Sequence, residues 1–196
     1  MVRWYHAIFT AYGFWLPNDP RGSWSDFVYS WELFRFGGPA TKVSAKRSHA
    51  HDPHDADMRR QAKLLLKYPP ARFDRACRES IGSGFALACD EFGFRIYSCA
   101  IGFDHVHLVA SRDAVRDIEN VVAVLKARAT SQMKRDGTHP LSGFEPPPTP
   151  WAKGLWSVFI NDVPQLHNAI AYVEHHPQKE GLPAQAWNFV HRLPGV

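Results

Sequence analysis

His105 and His107 stand two residues apart in HVHLVAS, a run rich in β-branched and apolar types. Side chains of a strand alternate between its faces, so both imidazoles point to one side and Val106 to the other. Two nitrogen donors on one rigid strand make half of a metal site, although a pair of hydrogen-bonded surface histidines would satisfy the same spacing. Further on, Tyr172 and His176 lie four apart in AIAYVEHHPQKEGLP, which stacks them on one helix face. A phenol, a candidate nucleophile, then sits beside a candidate third ligand. From this pair alone, a core tyrosine followed by an incidental histidine is the more ordinary reading, and His175 or Gln178 stands next in line as the third ligand.

The elements that must position these groups follow from periodicity. Residues Trp4 to Tyr12 are β-branched and aromatic and precede Gly13, Pro17 and Pro20, which predicts a buried first strand and then a loop. Phe73, Cys77, Ile81, Phe85 and Cys89 recur four apart, the spacing of one helix face, with Gly82 and Gly84 as weak points in it. FRIYSCAIGF and HVHLVAS then form a hairpin. Asp113 is placed to cap a helix reaching about Arg135, with Ile118, Val121, Val122, Leu125, Ala129 and Met133 inward and Gly137 at its end. After the proline-rich EPPPTP come a short strand near Leu155 to Ile160 and a last helix opened by Asp162 or Pro164 and stopped by Pro177 and Gly181. Strand, helix, hairpin, helix, strand, helix is the order of an α+β, ferredoxin-like sandwich, an antiparallel sheet with helices packed on one face.

The chain has 196 residues, 45% hydrophobic and 21% charged, which predicts one ordinary globular domain. Net charge +4 makes a polyanion a plausible partner. Three cysteines without CxxC spacing suggest neither a disulfide framework nor a zinc knuckle and fit a reducing cytoplasm. No signal-peptide pattern opens the chain and no run reaches the roughly 20 apolar residues of a membrane helix, so a soluble, cytoplasmic protein without a membrane partner is expected. The stretch from about Arg21 to Asp57 is the least legible. Its His49, His51 and His54, interleaved with Asp52, Asp55 and Asp57, read as a flexible insertion rather than a second metal site.

Taken together, DHVHLV at Asp104 to Val109 resembles the His-hydrophobic-His signature of HUH endonucleases. AIAYVEHHPQKEGLP resembles the tyrosine helix of single-tyrosine transposases of the insertion-sequence and REP-associated kinds, with Tyr172, His176, Pro177, Gly181 and Leu182 in the matching places. FTAYGFWLPNDPRGSW and VLKARATSQMKRDG look like the first strand and loop and the central helix of such proteins. The resemblance spans one domain over residues 1–196, apart from an insertion at about 27–67 that matches nothing. His176 stands where many relatives carry Asn or Gln.

The resemblance implies a transposase: a metal-dependent single-stranded DNA endonuclease and strand transferase in which Tyr172 attacks phosphate. His105, His107 and His176 would hold Mg²⁺ or Mn²⁺. Unperturbed tyrosine ionises near pH 10, so Tyr172 needs help of about 4 kcal/mol at neutral pH, and a cation at the phosphate supplies much of it. Single-stranded or hairpin DNA is the expected partner, with Lys126, Arg128, Lys134 and Arg135 as candidate phosphate contacts and some of the aromatics as stacking platforms. The resemblance allows either a protein that acts alone or a homodimer that exchanges tyrosine helices, for which the Glu145 to Pro150 linker is long enough. Two other readings stay open: a domesticated relative that binds hairpin DNA without cutting, and a metal-dependent phosphohydrolase that uses water and leaves Tyr172 in the core.

Overall fold

The computed structural model describes residues 3–23, 25–43 and 52–193, so Trp24, His49 and His51 lie outside the described residues. Its elements are β1 (Trp4–Thr10), α1 (Trp31–Gly37), α2 (Ala56–Leu64), α3 (Arg75–Phe92), β2 (Ile96–Ile101), β3 (His105–Ser111), α4 (Ile118–Arg135), β4 (Trp156–Ile160), α5 (Val163–Glu174) and α6 (His176–Lys179). They fall into two compact units, one made of Met1–Ala11 with Arg72–Val196 and the other of Tyr12–Ala71.

The first unit is built on an antiparallel sheet of order β2-β3-β1-β4. With α3 and α4 as the crossovers this is the ferredoxin-like arrangement expected from the sequence. Alternation sorts the residues onto two faces. Ala7, Phe9, Val106 and Leu108 are fully buried and share a face, since Ala7 pairs with Leu108 and Phe9 with Val106. Against that face pack α3 and α4, with Phe9 ringed by Phe85 at 6.1 Å and Trp151 at 5.7 Å. The expected inward residues of α3 and α4 are all buried.

Across the other face lies α5, whose Leu166 and Val173 meet Ala100, Val109 and Ile160 in a second apolar cluster. The segment after α6 runs along β2, where Gln185 donates to the carbonyl oxygen of Ile101 and accepts from its N–H, both at 2.8 Å. Val190 bridges to Ile96. These contacts cover backbone groups that an edge strand would otherwise expose.

One local expectation needs correction. Asp117, not Asp113, caps α4, accepting from the N–H of Asn120, whereas Asp113 closes its own turn by accepting from the N–H groups of Val115 and Arg116. The second unit carries α1 and α2. Its Leu16, Leu33 and Ala62 form a small core with Val28, Phe36 and Leu66, and Arg21 is buried in an ion pair with Asp19 at 2.7 Å. Asp55 caps α2 directly after the His/Asp run, and His54 Nδ1 lies 2.7 Å from the carbonyl oxygen of Asp52.

The glycines inside α3 have packing reasons. A Cβ on Gly84 would lie 2.6 Å from Ala129 Cα and 2.7 Å from its nitrogen, so the two helices touch backbone to backbone here. Gly84→Ala would gain about 1 kcal/mol in helix propensity and lose about 1–3 kcal/mol by overpacking against atoms that cannot swing away. A net loss of stability is therefore expected in chemical denaturation, and an unchanged or raised midpoint would contradict this packing.

Candidate metal centre and nucleophile

On the α5 face of β3, His105 and His107 point the same way, as their spacing requires. His107 is 4% exposed. The chain returns to them at the corner between α5 and α6. There α5 stops at Glu174, with His175 as its C-cap, and α6 begins at His176 with Pro177 in its first turn, where a missing N–H costs least. Tyr172 and His176 therefore do not share one continuous helix, yet the tight corner keeps their ring centroids 5.8 Å apart.

His176 closes the cluster. Its ring lies 4.1 Å from that of His107 and 5.0 Å from that of His105, and the Nε2 atoms of His105 and His176 are 3.5 Å apart. One ligand nitrogen from each of the three histidines falls within 4.8 Å of the other two, so the cluster could hold a metal ion. The other candidates for the third position point elsewhere: His175 is exposed with Nδ1 2.7 Å from the carbonyl oxygen of Ala171, and the Gln178 amide reaches the carbonyls of Glu174 and His175.

Two neighbours set which nitrogens are free. His105 Nδ1 lies 2.9 Å from Asp104 Oδ1, so with Nδ1–H donating to Asp104 the Nε2 lone pair is the one turned towards His176. His107 Nδ1 lies 3.0 Å from His6 Nε2, so with Nδ1–H donating to His6 the Nε2 lone pair is again the one presented. His6 reaches this place because β1 pairs with β3 and puts His6 opposite Val109 on the same face. Its sequence signal was only a histidine in register with Trp4 and Ile8, which reads as a core residue.

Burial keeps His107, His176 and His6 neutral. His107 is held far below the ordinary imidazole range by desolvation, and then by its neighbours His176, His105, His6 and Lys179. Desolvation is also the first cause at His176 and His6, each lowered to about 4. Uncharged, buried imidazoles whose nitrogens converge are what a divalent ion requires of its ligands.

Tyr172 is 44% exposed, with its ring 5.6 Å from His107 and 5.8 Å from His6. Lys179 Nζ sits 4.5 Å from its ring centre. Burial raises its pKa above the ordinary phenol value, and the nearby charge of Glu180 raises it further. The protein alone therefore works against the phenolate, and a cation in the histidine cluster would reverse that balance.

The IS200-like transposase model matches residues 58–176, a stretch that contains both histidines of β3 and ends on His176. The chain belongs to the IS200-like transposase family. Among solved structures, that of a REP-associated tyrosine transposase bound to a REP hairpin is similar over 93% of this chain and 70% of that one, at 12% identity and a TM-score of 0.43. No curated protein matches.

The four basic residues expected to meet DNA in this family member all lie on α4, across the sheet from the histidines. Lys126 is largely committed within the protein: Nζ donates to the carbonyl oxygens of Ala152 and Gly154 at 3.0 and 2.8 Å, and burial lowers its pKa to about 8. Arg128 donates to Glu91 at 2.6 Å. Lys134 and Arg135 are exposed in the last turn. Cys77, Cys89 and Cys99 are free and buried, and among the described residues no helix is long and apolar enough to cross a membrane.

The lowered histidine pKa values make stability depend on pH. His6 and His176 titrate near 4 when folded and near 6.5 when unfolded, so between these values the unfolded chain binds protons that the folded one does not. Their contribution is whole above about pH 6.5 and is lost as pH falls towards 4. Metal-free protein should show a melting temperature that declines across this window, with a shallower decline in His6→Phe. Equal slopes for the two proteins would contradict the burial of His6 as a neutral group.

Proposed function

We propose that the protein is a metal-dependent single-stranded DNA endonuclease and strand transferase, with Tyr172 as nucleophile and His105, His107 and His176 as ligands of Mg²⁺ or Mn²⁺. The observation that carries this reading is the meeting of three imidazoles from two distant parts of the chain, with a half-exposed phenol ring 5.6 to 5.8 Å from two of them. When bound, the ion would polarise a non-bridging phosphate oxygen and favour the ionised phenol.

The remaining work falls to the protein. Tyr172 Oη attacks phosphorus and gives up its proton, and the bond from phosphorus to the 3′ oxygen breaks. The freed oxygen takes a proton as a 3′ hydroxyl while the 5′ phosphate stays on the tyrosine. Because the phosphotyrosine bond keeps the energy of the broken diester, a 3′ hydroxyl can reverse the step on another strand without ATP. Asp104 and His6 fix the rings of His105 and His107, and the apolar docking of α5 holds Tyr172 over them.

Hairpin or single-stranded DNA is the proposed substrate. Of the basic residues on α4, Lys134 and Arg135 are the ones free enough to meet its backbone, with Lys126 and Arg128 supporting α4 more than the DNA. The catalytic domain in this proposal spans residues 1–196, with the insertion at about 27–67 falling inside the unit Tyr12–Ala71. Since α5 brings Tyr172 and His176 to the sheet of its own chain, a homodimer would not have to exchange helices to complete a site.

Incubation with labelled hairpin oligonucleotides and Mn²⁺, followed by denaturing electrophoresis, tests the reading. Wild type should give a metal-dependent band of DNA linked to protein, and Tyr172→Phe and His107→Ala should reduce it by about a thousandfold or more. Cleavage that survives in Tyr172→Phe would point to water as nucleophile. Binding without cleavage would point to a relative that has lost its chemistry.

A further inference from the structure

Holding a strand of DNA takes cations that are not already paired within the protein, and on α4 both Lys126 and Arg128 are committed. The unit Tyr12–Ala71 offers more. Between Ala56 and Tyr68 the basic residues Arg59, Arg60, Lys63 and Lys67 stand against one acidic residue, Asp57. That local excess of three positive charges is most of the chain's +4. Arg60 is paired with Asp57, whereas Arg59 and Lys67 meet no carboxylate among the described residues.

Packing decides which side of α2 carries the charge. Ala62 is buried in the small core with Leu16 and Leu33, and Leu66 packs against the same core. Arg59 and Lys63 lie one turn apart on another flank of the helix, half-buried, and Lys67 follows them in the exposed turn after it.

Aromatic rings stand among these cations. Lys63 Nζ lies 5.7 Å from the ring centre of Phe14, and Lys67 Nζ 5.2 Å from that of Tyr68, whose ring meets Tyr12 edge-on at 6.1 Å. All three rings are half-buried. The backbone ties the two stretches together, since the N–H of Ala71 donates to the carbonyl oxygen of Tyr12 at 2.9 Å. A lysine resting against a ring has already lost part of its rotamer freedom, so it meets a phosphate with a smaller loss of entropy. The ring beside it offers a stacking face to an unpaired base. Cations that track a phosphate backbone, interleaved with rings on which bases stack, are the two components of a surface for single-stranded nucleic acid. A duplex would use the cations alone, because its bases are stacked on one another. Trp31 and Phe34 are exposed with parallel rings 5.8 Å apart, but the charges of Glu32 and Arg35 beside them cancel, so nothing there selects a polyanion.

We propose that the strip formed by Arg59, Lys63 and Lys67 with Phe14 and Tyr68 binds single-stranded DNA, which makes Tyr12–Ala71 a substrate-holding unit of the protein. The inference rests on the reading of DNA as the partner and requires neither the metal nor Tyr172.

Fluorescence anisotropy of a labelled oligothymidylate about 20 nucleotides long, titrated with the full chain in EDTA, tests this without cleavage. Arg59→Gln/Lys67→Gln should weaken binding by about 10-fold and make the slope of log affinity against log salt shallower by about 1.4. Lys42→Gln/Arg75→Gln removes as much charge from two exposed ion pairs elsewhere, and should stay within about threefold of wild type. Tyr68→Leu should weaken the single strand by about fivefold or more and leave a duplex of the same length unaffected. Equal losses on strand and duplex would overturn the assignment to single strands. Wild-type affinity and salt dependence in Arg59→Gln/Lys67→Gln, losses no larger than in the control pair, or a wild type that does not bind the oligonucleotide would overturn the strip. A metal-dependent adduct together with undiminished binding in Arg59→Gln/Lys67→Gln would leave the proposed chemistry standing without the strip. Binding that is lost in that variant, with no adduct from wild type on any hairpin, would leave the strip standing without the chemistry.

Discussion

Leu166 and Val173 press α5 onto Ala100, Val109 and Ile160, and this apolar contact carries Tyr172 and His176 to histidines on a strand far away in sequence. Neutral imidazoles have little attraction for one another, so without a metal the cluster cannot assemble itself. Burial of each large aliphatic side chain contributes about 1.5–3 kcal/mol. A few such residues are enough to seat the helix, and the turn from α5 into α6 then decides where His176 falls. The chemistry is thus set by a hydrophobic contact beside it.

β3 has two tasks that alternation lets it perform at once. Val106 and Leu108 fill the core under α3 and α4, while His105 and His107 line the opposite face. Pairing with β1 adds His6 to that face at the right height to take the Nδ1 hydrogen of His107. The same burial that makes the imidazoles neutral donors also opposes ionisation of Tyr172. These two tendencies conflict in the metal-free protein and cooperate once a cation sits between the rings.

How much of this the sequence revealed depended on the range of the interactions. The core faces of α3 and α4 were legible because apolar spacing within a long helix is a local signal. For β3 the alternation was enough to put both histidines on one side. His6 was not legible, since its role depends on which strand β1 pairs with and in what register. On α4 the basic residues looked alike, yet Lys126 reaches a loop more than twenty positions away and Arg128 meets a residue of α3. In Tyr12–Ala71, α1 and α2 have only seven and nine residues, too short for periodicity to separate them from loop.

The central claim is that the three histidines surround one ion with the phenol of Tyr172 beside it. Anomalous diffraction from crystals of the protein soaked in Mn²⁺ tests that claim most directly. The account predicts a single strong peak within bonding distance of the Nε2 atoms of His105, His107 and His176. Saturating Mn²⁺ that leaves no peak among those nitrogens, or a peak bound elsewhere with the three rings in contact only with one another, would contradict it.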